Sequence, residues 1–372
     1  MLYRLILLGS LAALLSHCIE AVEPTFRPVT GRYLVDATIT TDPGENSVQV
    51  SRLQLRDGRV KPITERDSRV TIEASSGETT NCFYNSETDR FAPPTGWRAS
   101  VGVRYALCIE IGNGDVITSE PQEVLPPVVL DSVSVSARQE SVFDPGRNRF
   151  IPTYDLAAHF ADPPGRPNFY RLNFTRWERI VYCRFCPSQT RYDAVGDRCE
   201  RTGRSHRGWS YPCDRICYGI EEADEIKLYR DEFSDGEFQR NVPAGSTPFF
   251  GPRTDRLFRV RLFHLAASDY EYANSARQLS EESGGLNATL PAVLIGNLSL
   301  EGAAADATVL GNVTVASVSS GTVFVPARSF PDIAPLNIRQ EFFEEPATFD
   351  RPPLAPCDGP NRTPVRPEGW RE

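Results

Sequence analysis

The sequence predicts a mainly β fold: two tandem antiparallel β-sandwich-like domains, the second with one short α-helix and a disulfide-stapled insertion. Three observations carry this. Short runs rich in Val, Ile, Thr and Tyr recur along the chain, separated by turn chemistry. Leu125-Pro126-Pro127 interrupts the series, because proline cannot donate to a sheet ladder. A single segment, beginning at Ser268, combines a helix-start signal with helical spacing. The length of 372 residues suits two domains on a prior of ~150 residues each. A content of 40% hydrophobic and 24% charged residues is that of a folding chain rather than a disordered one.

Residues 1–17 read as a lipoprotein signal peptide: Arg4 supplies the charge, residues 5–15 the apolar run, and Leu15-Ser16-His17-Cys18 the processing site. The run is too short for a membrane span, which needs ~20 apolar residues. The residue before the cysteine is normally small and here is His17. Cys18 is therefore expected to be lipidated, with ordinary secretion or an uncleaved anchor as alternatives. More than one acyl chain on such a cysteine meets the two-signal requirement for stable anchoring. Residues 18–29, with Glu20, Glu23, Pro24 and Pro28 and no periodicity, form a tether.

Residues 30–126 are expected to form an N-terminal Ig-like β-sandwich, with strand-like runs at 33–39, 47–51, 69–72 and 99–111. Asp42-Pro43-Gly44, Asp57-Gly58, Ser75-Ser76-Gly77 and Gly112-Asn113-Gly114 separate them. Residues 127–340 form the C-terminal β-rich domain, with candidate strands at 132–135, 154–160, 168–182, 226–229, 257–265 and 309–324. Its helix is placed at 268–283, where Ser268-Asp269-Tyr270-Glu271 fits a capping box and Gly284-Gly285 a stop. The helix, residues 168–171 and residues 309–324 are expected to pack together. Residues 341–372 read as an extended tail pinned by Cys357.

Of the 9 cysteines, assigning Cys18 to a lipid leaves an even set for disulfides in an oxidising compartment. Cys82 and Cys108 lie in the first domain, and their pairing is the simplest assignment. Cys183, Cys186, Cys199, Cys213, Cys217 and Cys357 fit three bridges in the second, stapling an insertion at 183–217. The spacing of Cys183, Cys186, Cys213 and Cys217 also admits a tetrahedral zinc site, and Cys183/Cys186 a redox pair, but structural disulfides are the preferred reading and no metal is expected. The acidic stretch 231–237 resembles a cation loop without the alternating oxygen ligands, so a solvated hairpin loop is preferred over a calcium site. His264 shares strand parity with Val260 and Leu262, which suits a core imidazole, while His159 alternates against Leu156 and His206 sits in the insertion. No Ser or Cys can be joined to them from the sequence, and no Gly-x-Ser-x-Gly, His-Glu-x-x-His or phosphate loop occurs, so no catalytic residue and no cofactor are expected. A net charge of −9 argues against nucleic-acid binding.

In order, the acidic-proline tether after Cys18, residues 33–40, 47–51 and 105–111, Leu125-Pro126-Pro127 leading to Asp131-Ser132-Val133, Phe160-Ala161-Asp162-Pro163, Asn168-Phe169-Tyr170-Arg171 and Ser268-Asp269-Tyr270-Glu271-Tyr272 resemble the Bacteroidetes lipoproteins that carry a domain of unknown function, DUF4249. Ala37 departs from the glycine usual there. The resemblance implies an outer-membrane lipoprotein, on the periplasmic or cell-surface face, whose gene neighbours are often TonB-dependent receptors. It carries over no catalytic residue. The expected function is a non-enzymatic accessory or ligand-binding subunit of a TonB-dependent transport system, with a surface adhesion or envelope-assembly protein second and an extracellular hydrolase third.

Overall fold

A computed structural model describes residues 31–146, 148–182, 190–193, 195–196, 198–201, 215–223, 226–249, 254–282, 294–302, 309–334, 357 and 361–371. The segments expected to be a signal peptide and a tether, and Cys18 with them, lie outside the described residues. The fold is mainly β with one helix. Nine strands build the first unit: β1 (Tyr33–Thr40), β2 (Ser47–Arg56), β3 (Arg59–Thr64), β4 (Arg69–Ala74), β5 (Thr79–Asn85), β6 (Arg90–Ala92), β7 (Arg104–Glu110), β8 (Val116–Ser119) and β9 (Gln122–Glu123). The run expected over 99–111 starts only at Arg104, because the chain turns at Gly102 with φ +77°.

β5 makes these strands a sandwich. Its first half, Thr79–Cys82, pairs with β4, and Phe83–Asn85 pairs with β6, so one strand serves two layers. Alternation then buries one side of each layer: Val35, Ala37 and Ile39 of β1 and Val48 and Val50 of β2 meet Val70, Ile72, Leu107, Ile109 and Ile117 from the other layer.

The second unit packs a three-stranded sheet on a larger one. β10 (Leu130–Asp144), β11 (Arg149–Ala161) and β17 (Phe238–Pro248) form the first. The larger contains β12 (Phe169–Tyr182), β15 (Arg215–Glu222), β16 (Lys227–Arg230), β18 (Arg256–Leu265), β20 (Leu310–Val325) and β21 (Arg362–Thr363). A short hairpin, β13 (Thr190–Asp193) with β14 (Arg198–Arg201), lies in the insertion, and β19 (Leu298–Leu300) returns to pair with β8. Tyr154, Leu156, Ala158 and Phe160 of β11 pack on Tyr170, Leu172 and Phe174 of β12 and on Phe258, Val260 and Leu262 of β18. At one end of this core two arginines are buried with partners. Arg256 meets Glu178 at 3.0 Å and the Tyr154 hydroxyl at 2.8 Å, and Arg176 pairs with Glu221.

The helix α1 (Ala267–Glu282) covers the opposite face of the larger sheet, over Phe169, Phe263, Leu265 and Val318. It starts at Ala267, one residue before the expected cap, with Tyr270 N–H donating to the Ala266 carbonyl at 3.1 Å. Ser268 therefore lies inside the first turn. Asp269 turns away from the helix end, because it is needed at the seam between the units.

That seam is β20. Residues Leu310–Ala316 run parallel to β1, and Ser317–Val325 run antiparallel to β18. The first unit is thus completed by residues 294–302 and 309–316: Leu298, Val309, Val313 and Val315 all enter its core. On the edge of β20 away from β1, side chains act where a strand would. Asn297 donates to the Val313 carbonyl at 2.8 Å and accepts from its N–H at 2.9 Å, and Gln122 Oε1 accepts from Val315 N–H at 3.2 Å. Asp269, 2% exposed, accepts from Gln122 at 2.9 Å and from Asn312 at 2.9 Å, which joins α1, β9 and β20. Burial raises its pKa.

Gly311 is where β20 comes closest to β1. It sits at φ +102°, and a Cβ there would lie 1.8 Å from the Val35 carbonyl oxygen. Gly311→Ala is expected to break the β1–β20 pairing at a cost of about 3 kcal/mol or more. Urea denaturation checks this. A variant as stable as the wild type would mean that the register at the seam is different.

Candidate functional site

Among the described residues, three carboxylates gather where β11 turns into β12. Asp162 follows β11, Asn168 precedes β12, and Asp231 and Asp235 belong to the loop between β16 and β17. His264 of β18 pairs with Tyr170 of β12, so their rings stack at 5.4 Å between centroids. Phe160 packs edge-on to Tyr170 at 5.0 Å, forming the apolar floor.

The three carboxylates place one oxygen each within 4.8 Å of the others. Hard oxygen ligands in that arrangement suit a divalent cation such as Ca²⁺ or Mg²⁺, and Asp162, Asp231 and Asp235 are the residues that could hold one. Each is already met by protein donors. Asp162 accepts from the Tyr170 hydroxyl and from Gly236 N–H at 3.0 Å. Asp231 accepts from Asn168 N–H at 3.0 Å and its side-chain amide at 3.1 Å, and Asp235 accepts from Gly165 N–H at 2.9 Å. Burial raises the pKa of Asp162 and pushes the Tyr170 hydroxyl up further. His264, 2% exposed, has its pKa lowered by burial, and its ring nitrogens sit 2.8 Å from the Pro126 carbonyl and 3.2 Å from Asn168 Oδ1. The imidazole is a core group, as its parity with Val260 and Leu262 implies.

The segments 160–163, 168–171 and 268–272, far apart in the chain, thus meet around β12 and β18, two at this centre and the third at the seam behind it. A family model described as a domain of unknown function (DUF4249) matches residues 19–322. The chain belongs to that family. No curated protein matches it.

In this DUF4249 chain the loop at 231–237 is neither the expected hairpin nor simply solvated: it crosses from β16, paired with β12, to β17, paired with β11, and Asp231 is 3% exposed whereas Phe233 is 93% exposed. Pairing with Asn168, 63 residues earlier, draws Asp231 inward. No local pattern announces that partner.

Ser134 and His159 are a pair that the sequence did not reveal. Neighbouring strands β10 and β11 bring Ser134 Oγ within 2.9 Å of His159 Nε2. His159 Nδ1 accepts from Asn241 N–H at 3.3 Å, so in the neutral ring Nε2 carries the proton and donates to Ser134. A general base requires the opposite tautomer, held by a carboxylate on Nδ1, and here a backbone amide occupies that place.

The cysteines divide. Cys217, buried on β15, is bonded to Cys357, with Cα atoms 6.0 Å apart, so the tail is pinned through Cys357 as expected. Cys199 is also disulfide-bonded. Cys183, Cys186 and Cys213 lie outside the described residues. With Cys217 in a disulfide, the four-thiolate zinc set lacks a ligand. The expected Cys82–Cys108 bridge is not formed, and both thiols are free. β4 lies between them: Val70 pairs with Cys82 and Thr71 with Cys108. Two strand spacings, roughly 9.6 Å, exceed the reach of a disulfide, and successive β4 residues point to opposite faces. Cys82 therefore faces the core, where burial pushes its thiol up to about 12, and Cys108 faces outward.

Asp162 carries a pH signature. A carboxyl whose folded pKa is raised above the ordinary 3.8 stabilises the fold fully at pH below that value and loses its contribution as pH rises through the raised one. Asp162→Asn is expected to gain stability relative to wild type over this window as pH increases. Urea denaturation of both proteins from about pH 4 to 7 measures the difference. A pH-independent difference would contradict the assignment.

Proposed function

We propose that this chain is a lipid-anchored, non-enzymatic binding subunit of the outer membrane that works beside a TonB-dependent receptor. The observation that carries this reading is that its most reactive groups are taken up by the fold. Asp162, Asp231 and Asp235 accept hydrogen bonds from neighbouring strands and loops, and the His159 tautomer is fixed against base catalysis. What remains available to a partner is surface: two sandwiches joined through one strand. The processing sequence ending at Cys18 supports the anchor, and the following ten or so residues give enough length to lift the first strand from a bilayer. Among the described residues no helix is long and apolar enough to cross a membrane.

Two measurements on native protein test this. Mass spectrometry of the mature N-terminus is expected to find Cys18 as an acylated first residue. Purification from detergent-solubilised outer membranes is expected to bring down a β-barrel receptor. An unmodified Cys18 thiol would remove the anchor. Recovery of an acylated chain without a receptor would favour the adhesion reading instead.

A further inference from the structure

Among the described residues, one face of the first unit is left open. On the outer side of the β4 layer, a single register carries Asn81 of β5, Thr71 of β4, Cys108 of β7, Thr118 of β8 and Ser299 of β19. These short side chains form the floor of a trough that crosses five strands, on the order of 20 Å at ~4.8 Å per strand. The flanking registers are long: Arg69 opposite Glu110 on one side and Glu73 on the other. Phe83 stands at the end of one wall with 64% of its surface exposed. The part of the groove over β5, β4 and β7, lined by Asn81, Thr71 and Cys108 but not reaching Thr118 or Ser299, holds about 780 Å³, within the range of ligand sites.

Its chemistry is specific in kind. β4 and β7 are each paired on both edges, so their backbone groups are consumed and an added peptide strand has nothing to bond. A ligand lying here must be held by side chains. Those present are an amide, hydroxyls, the guanidiniums of Arg66 and Arg69 and the carboxylates of Asp67, Glu73 and Glu110, which together both donate and accept at short spacing, as vicinal hydroxyls require. The Ser68 hydroxyl, which also lines the groove, is buried without a hydrogen-bond partner. Arg69 is taken by Glu110 at 3.7 Å, while burial foremost, and then the charges of Glu73, Glu110 and Glu301, raise the pKa of Cys108. The trough is therefore net acidic and repels anions. An exposed Phe ring offers a flat apolar surface to the C–H face of a pyranose.

We propose that this trough binds a neutral oligosaccharide chain. The inference gives a ligand class to the binding subunit described above and rests on that reading of the chain. Its test needs neither anchor nor receptor, so the two can fail separately.

Affinity electrophoresis of the purified protein in gels containing starch, laminarin, xylan or galactomannan, with polygalacturonate as the anionic comparison, tests it. At least one neutral polymer is expected to retard the protein. Phe83→Ala, at an exposed position the core does not need, is expected to weaken that retardation about tenfold, a loss of ~1.4 kcal/mol. The same polymer should shield Cys108 from N-ethylmaleimide, since its thiol lies in the floor. Retardation by none of the four neutral polymers overturns the proposal. So does stronger retardation by polygalacturonate, retardation unaffected by Phe83→Ala, or Cys108 labelling that bound polymer leaves unchanged.

Discussion

The structure depends on one strand having two partners. The first half of β20 lies parallel to β1 and the second half antiparallel to β18, so a single backbone must satisfy the register of both sheets. A parallel pair cannot be closed by a tight turn, and here the connection runs from Leu34 to Leu310, about three quarters of the chain. The edge facing away from β1 would be left with unpaired amides at the centre of the molecule. Asn297, Gln122 and Asp269 resolve this by offering side-chain groups at the spacing of a strand. Gly311 is required at the same place, since any Cβ would meet the Val35 carbonyl.

This arrangement has a consequence for the rest of the fold. The residues gathered on β12 divide by parity: Tyr170 points to the sandwich core and the acidic cluster, and Arg171 points to the helix side, where its guanidinium lies 4.1 Å from the centre of the Phe263 ring. The polar groups on both sides are therefore fastened to the same two strands, β12 and β18. Satisfied buried polar networks specify a unique arrangement rather than add much net stability. A groove such as the one across β4 and β7 keeps its shape only if the layers beneath it hold their register.

Much of this was legible locally. The β-rich runs marked four of the nine strands of the first unit, β1, β2, β4 and β7, the two-residue period placed His264 in the core and His159 outside it, and the Ser268–Tyr272 stretch located the helix within one residue at its start. What escaped were features fixed by partners distant in the chain. The β1–β20 pair leaves no trace in either segment, so residues 30–126 looked self-sufficient although Leu298, Val313 and Val315 complete their core. The acidic stretch at 231–237 looked solvated because nothing nearby signals Asn168. Cys82 and Cys108 looked like a pair because the intervening β4 reorders their neighbours, which spacing in sequence does not encode. The Ser134–His159 contact likewise exists only because β10 and β11 are neighbours.

The claim on which the account rests is that the two units are one cooperative body held by β20. Scanning calorimetry of the full chain under reversible conditions tests it most directly. A single heat-absorption peak whose calorimetric and van't Hoff enthalpies agree is the predicted result. Two resolved transitions, with the sandwich around Val35 and Val70 melting apart from the one around Tyr170 and Val260, would show that β20 does not couple them.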